Sequence, residues 1–316
     1  MIRYVGNRLV VLVAGWLVAS VIIFFTLRLL PGDIAQIIGG TRASAERIEA
    51  LRTQLGLDRS LLMQYFDWIG GFVTGDLGRS LISGSSAAQE ILQKSQVTLP
   101  LTLLSLVIAL IIALPLGVLS AYRRQGAAMN TLTSMSMLAA AVPIVWAGLL
   151  IVLIFSNWLG WFPSQGFPRE AWHDPIRALR TLFLPALTVG LVEGAVLFRF
   201  VRSATFTALE AEHVRTAMSF GYTRLQALLR SGLPGVGLSI VSMLGLQIAG
   251  LIIGAVVVEQ LFSLPGLGRM LVIDVGNRDL IKVQSTLMVI TGLILVIGVI
   301  IDIVHRLIDP RLRTES

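Results

Sequence analysis

Apolar stretches longer than about 18 residues recur along this 316-residue chain, and no other feature narrows its fold as much. A helix needs about 20 residues to cross the hydrocarbon core of a bilayer. Backbone in lipid must satisfy its own hydrogen bonds, so repeated runs of that length specify a bundle of membrane helices. Composition agrees: 55% of residues are hydrophobic and 14% charged, where soluble proteins carry about 25% charged residues. The reading is an all-α polytopic membrane protein with six spans, near residues 9–30, 97–122, 131–158, 182–204, 236–258 and 287–307.

Charge sets the expected topology. Arg3 and Arg8 precede the first span, which is too long for a signal-peptide core and reads as an uncleaved anchor. Six spans then place both termini in the cytoplasm. Arg123, Arg124, Arg202, Arg215, Arg224, Arg230, Arg306, Arg311 and Arg313 fall on the same side, as the positive-inside rule expects. Arg169, Arg177 and Arg180 in one external loop, and Arg269, Arg278 and Lys282 in another, run against it. The net charge of +7 is dispersed through loops beside apolar spans, which fits topology and contact with membrane lipid better than nucleic-acid binding. The chain divides into an anchor plus external helical segment (1–96), a membrane core (97–307) and a cytoplasmic tail (308–316). In the first unit, helices are expected from Ser44 to near Gly56 and over 61–73. In the core, Pro100 suits the first turn of the second span, and Pro143 interrupts the third.

One polar interruption stands out between the fourth and fifth spans, within a loop at 205–235. It reads EHVRTAMSFGYTRLQALLRSGLP, from Glu212 to Pro234. A helical pattern runs into Gly221, which suits a helix end at positive φ. A second begins at Thr223, a capping residue, and is expected to stop before Pro234. Helix, sharp bend, helix is a shape suited to docking on another protein.

Arg215, Thr216, Ala217, Gly221, Leu233 and Pro234 resemble the E-A-A-x-x-x-G…L-P loop of bacterial ABC-importer permeases. Arginine replaces the general glutamate, as in the peptide-importer branch. Three further signatures occur in order between the first two spans: Pro31-Gly32-Asp33, Leu55-Gly56-Leu57-Asp58, and Gly75-Asp76-Leu77-Gly78-Arg79-Ser80. Together they are similar to the N-terminal region of dipeptide, oligopeptide and nickel permeases. After the fifth span, Pro265-Gly266-Leu267-Gly268-Arg269 followed by Asn277-Arg278-Asp279 resembles the most specific segment of that family, and Asp309-Pro310-Arg311 resembles its tail.

The resemblance implies the type I ABC-importer permease fold and a non-catalytic subunit of the bacterial or archaeal cytoplasmic membrane. It implies a homologous second permease, two ATPase subunits that bind ATP and Mg, and an extracytoplasmic substrate-binding protein as partners. It assigns Glu212, Arg215, Thr216, Ala217, Gly221, Leu233 and Pro234 to ATPase coupling. It makes Asp33, Asp76, Arg79, Pro265, Gly266, Gly268, Arg269, Arg278 and Asp279 candidates for the external gate or binding-protein contact. The cargo it implies is di- or oligopeptides, with nickel chelates, glutathione or opines as alternatives; a secondary transporter or channel is the reading from another class.

The remaining chemistry is sparse. Walker A and H-E-x-x-H sequences do not occur, there is no cysteine, and His173, His213 and His305 are far apart, so no metal site or cofactor is expected in the chain. Glu193 lies mid-span in the fourth helix. Intramembrane carboxylates usually face a cavity or a partner; pairing with Arg199 or neutralisation is weighed above a role lining the transport path. Glu259, nearer the end of its span, is expected to reach the outer surface.

Overall fold

The computed structural model describes residues 2–29, 34–39, 43–54, 56–123 and 126–308. Pro31, Gly32, Asp33, Leu55, Arg124 and the Asp309–Arg313 tail therefore lie outside the described residues. Those described are almost wholly helical; the only β contact among them is an isolated bridge between Arg79 and Ser86. Among the described residues, five helical stretches are long and apolar enough to cross a membrane. They are α1 (Ile2–Arg28), α5 (Ala87–Tyr122), α8 (Pro175–Glu210), the run of α10 (Arg224–Ala227) into α11 (Leu233–Leu261), and α13 (Leu280–Ile308). A sixth crossing exists if α6 (Ala127–Ala141) and α7 (Ile144–Ile151, continuing as a π-helix to Trp158) count as one span.

Two compact units divide the chain: residues 1–96 with 270–296, and residues 97–269 with 297–316. In the first, α2 (Ile34–Gly39) meets α3 (Ala45–Gln54), and α4 (Leu61–Val73) packs on α1. Ser60 starts α4 by accepting from the Met63 N–H. The apolar face of α4 closes on α1 through aromatics. Phe24 lies edge-on to Tyr65 and stacked on Trp68, and Trp16 meets Phe72. The Tyr65 hydroxyl shares a 2.8 Å hydrogen bond with Ser20, so the buried phenol is satisfied.

The second unit is organised around α8. Within its apolar window 61% of residues are buried, against 11% for α1 and 6% for α13, so α8 is core and the other two present apolar surface outward. Leu182, Leu184 and Val189 of α8 pack with Leu101 of α5 and Leu251, Ala255 and Val258 of α11. Close approach is set by Gly190: a Cβ there would stand 2.8 Å from Ile108 Cγ2 and 2.9 Å from the Ser105 carbonyl oxygen. Small residues at such crossings let membrane helices pack by contact where lipid supplies no hydrophobic drive.

Several boundaries depart from the sequence reading. The second span begins at Ala87, so Pro100 is interior and not in the first turn. The third is bent by 108° at its break. Val142 is extended and Pro143 caps α7, consistent with proline disfavouring helix in the residue before it. The helix from Thr223 does not stop before Pro234: it passes through a π-helical turn, Leu228–Gly232, and continues to Leu261. Proline lacks the N–H a continuing helix would use, and the change of register lies in the turn before it.

Candidate functional site

The elbow forms because three residues break helix in succession. Ala211 is extended (φ −66°, ψ 143°) and ends α8. α9 (Glu212–Ser219) follows, and Gly221 at φ +89° turns the chain. Thr223 then caps α10 with a reciprocal pair: the Gln226 N–H donates to Thr223 Oγ1 at 3.3 Å, and the Thr223 N–H donates to Gln226 Oε1 at 3.0 Å. Two elements hold the elbow as a solid body. Val214, Ala227 and Leu228 are fully buried. Gly232 lets α9 close on the π-helical turn, since a Cβ there would meet Leu228 at 2.9 Å and Val214 at 3.5 Å.

Of the residues assigned here, Glu212, Arg215, Thr216, Gly221 and Pro234 are exposed, and Ala217 and Leu233 are half-buried. The Thr216 and Ser219 hydroxyls back-bond to the Glu212 and Arg215 carbonyls, leaving the Arg215 side chain on the outer face. Sequence reasoning missed an apolar crest beside it. Phe220 is 80% exposed, with Tyr222, Leu225 and Leu229 also exposed. Arg230 covers the Tyr222 ring at 5.2 Å and donates to its hydroxyl at 2.9 Å, which fixes the ring outward. Solid, apolar-crested and rimmed by arginine, this surface has the make-up of a protein-docking patch. The F-G-Y order flanking the turn carried the signal.

The turn between α11 and α12 is built on a residue placed elsewhere by the sequence reading. Glu259 does not reach the surface; it is fully buried. Its carboxylate takes the Gly268 N–H at 2.7 Å, the Arg269 N–H at 3.0 Å and the Thr98 hydroxyl at 2.5 Å. The Thr98 oxygen accepts from the Leu267 N–H at 2.8 Å. Three otherwise unpaired N–H groups at the start of α12 (Leu267–Gly276) are thereby satisfied from α11 and α5, with the negative charge at the positive helix end. This explains the glycines. A Cβ on Gly266 would fall 2.1 Å from the Glu259 carboxyl, and one on Gly268 would fall 2.5 Å from the Val256 Cα. Gly266 and Gly268 are buried, while Pro265 and Arg269 are half-buried.

In the other unit, the G-D-L-G-R-S and N-R-D signatures come together. Asp76 accepts from the Gly78 N–H at 2.9 Å, an Asx turn that shapes the loop. Asp279 is buried and accepts from the Ser80 hydroxyl, and the Ser285 hydroxyl donates to the Leu77 carbonyl at 2.7 Å. Arg79 and Arg278 are exposed and take no part; Arg278 instead turns the chain at φ +57°. The ion cluster here was missed. Lys282 is buried with Glu90 at 2.7 Å and Asp274 at 3.0 Å. Burial pushes the Asp274 carboxyl above the usual range, and the Lys282 ammonium pulls it partly back.

Half-buried Glu193 is held by Gln247 and forms no ion pair with Arg199. The Gln247 amide donates to its carboxylate at 3.1 Å and to its backbone carbonyl at 2.7 Å, tying α8 to α11. Among the described residues, no group of three or more metal-ligating side chains occurs.

Two family descriptions cover the chain. Residues 113–314 match the binding-protein-dependent transport system inner membrane component, and residues 1–102 match the N-terminal region of that system's membrane component. A protein of Brucella abortus (strain 2308), whose name describes it as a peptide transport system permease, is 36% identical over 95% of both chains. The glutathione transport system permease protein GsiC of Escherichia coli (strain K12) is 34% identical over 99% of both. With matches over residues 1–102 and 113–314, the chain belongs to the family of binding-protein-dependent transport system inner membrane components, the permeases of ABC importers.

Proposed function

We propose that this permease is half of a translocation pathway for di- or oligopeptides, and that the elbow is the handle by which separate ATPase subunits move it. The rigid crest of Phe220 and Tyr222 beside exposed Arg215 carries the reading, because a lever must be solid and must present a surface to grip. In this account the chain binds no nucleotide. Two partner ATPases hold ATP and Mg, a homologous permease supplies the other half, and a substrate-binding protein delivers cargo from outside. Both termini then lie in the cytoplasm. Closure of the ATPase dimer displaces α9, and the α10–α11 helix carries that motion into the membrane, since each ligand acts only through its different affinity for two states.

Peptide cargo is supported by the permease of Brucella abortus, and glutathione, itself a small peptide, by the Escherichia coli relative. The test is Arg215→Glu in the reconstituted complex. The expected result is ATPase activity that no longer responds to loaded binding protein, transport reduced at least about 10-fold, and normal membrane insertion. Unchanged stimulated transport rejects the handle. Stimulation of the wild-type ATPase by dipeptides over glutathione, or the reverse, separates the two cargoes.

A further inference from the structure

Three of the arginines that run against the charge rule, Arg169, Arg177 and Arg180, line one cavity of about 650 Å³. Its walls are tied in place. Phe162 stacks on Phe183 of α8 with ring centres 4.6 Å apart, Arg180 donates to the Trp161 carbonyl at 2.7 Å and 3.2 Å, and the Gly166 N–H donates to the Phe262 carbonyl at 2.9 Å. The loop is thus fastened to the first turns of α8 and to the end of α11, and the hollow between them is preformed. Glu170 stands 3.9 Å from Arg177, and Asp174 caps α8 by accepting from the Arg177 N–H. Three guanidiniums against those two carboxylates leave one positive charge over.

The surroundings are those of a membrane interface. Trp158 and Trp161 are 73% and 55% exposed, and on the opening turns of α8 the exposed Ile176 and Leu179 alternate with Arg177 and Arg180. Exposed tryptophans and aliphatics interleaved with arginine mark the headgroup level, where apolar side chains enter lipid and guanidiniums stay with phosphate. We propose that this cavity binds the phosphodiester headgroup of an anionic phospholipid, with Arg169 and Arg177 contacting the phosphate and Arg180 holding the wall. A phosphodiester carries the single negative charge the site leaves uncompensated, and guanidinium suits its paired oxygens. This goes beyond the transport reading and does not depend on the cargo.

The experiment places the full complex in nanodiscs of mixed phosphatidylglycerol and phosphatidylcholine and counts retained lipid by native mass spectrometry. The expected result is retained phosphatidylglycerol in the wild type, falling about five-fold for Arg169→Gln and again for Arg177→Gln. Thermal midpoints in pure phosphatidylcholine should be unchanged, which separates lost binding from lost folding. Equal retention in wild type and double variant overturns the proposal. So does displacement of the lipid by millimolar inorganic phosphate, which would make it a free-anion site, or by dialanine, which would make it a peptide site.

Discussion

Removing the Glu259 side chain should loosen the turn into α12 and little else. In Glu259→Ala the Gly268 and Arg269 N–H groups lose their acceptor inside a buried site, and the Thr98 hydroxyl loses its bond to the carboxylate. Each orphaned buried donor costs about 1–3 kcal/mol. Relief of the desolvation of the carboxylate itself offsets part of that sum, leaving roughly 3 kcal/mol against the closed turn. At 1.4 kcal/mol per factor of ten, local opening rises about 100-fold. Hydrogen–deuterium exchange on the purified complex reads this directly. A peptide covering residues 264–272 should exchange about 100-fold faster, while one covering 184–198 of α8 keeps its wild-type rate. Glu259→Gln, which keeps one acceptor oxygen but aims an N–H pair at donors, should fall between. If the 264–272 peptide keeps its protection in Glu259→Ala, the carboxylate does not hold α12 and the reasoning fails.

Two further outcomes follow from the packing. Lys282→Met leaves Asp274 and Glu90 without their cation and should destabilise the first unit by about 3 kcal/mol, the low end for breaking a buried pair because Glu90 is partly exposed; a lowered thermal midpoint, partly restored by adding Asp274→Asn, checks it. Gly190→Val should force α5 from α8, since even its Cβ lies 2.9 Å from the Ser105 carbonyl oxygen, costing about 1–3 kcal/mol or more and lowering the yield of folded complex in detergent.

Local signals are legible in the amino-acid sequence itself. Apolar runs gave the membrane helices, Gly221 and Thr223 gave the elbow, and the amphipathic run at 61–73 gave α4 with its bounds. What stayed hidden depends on partners distant in sequence. Glu259 near the end of an apolar span looks like a residue on its way to water; only Thr98 from α5 and the glycines of the following turn make burial tolerable. Lys282 read only as a loop exception to the charge rule because Glu90 lies far upstream. Pro234 read as a stop because a sequence does not display the π-helical turn that lets the helix carry on.

The account rests on the elbow being gripped from the cytoplasmic side by an ATPase, and the absence of cysteine makes that directly measurable. Phe220→Cys introduces a single thiol at the exposed crest, to be treated with a short bifunctional maleimide in the assembled complex. The account predicts one cross-linked product, joining this chain to the ATPase subunit, and protection of the thiol from a membrane-impermeant reagent applied outside intact cells. A thiol labelled from outside, or assembled complex that cross-links to no ATPase subunit, contradicts it.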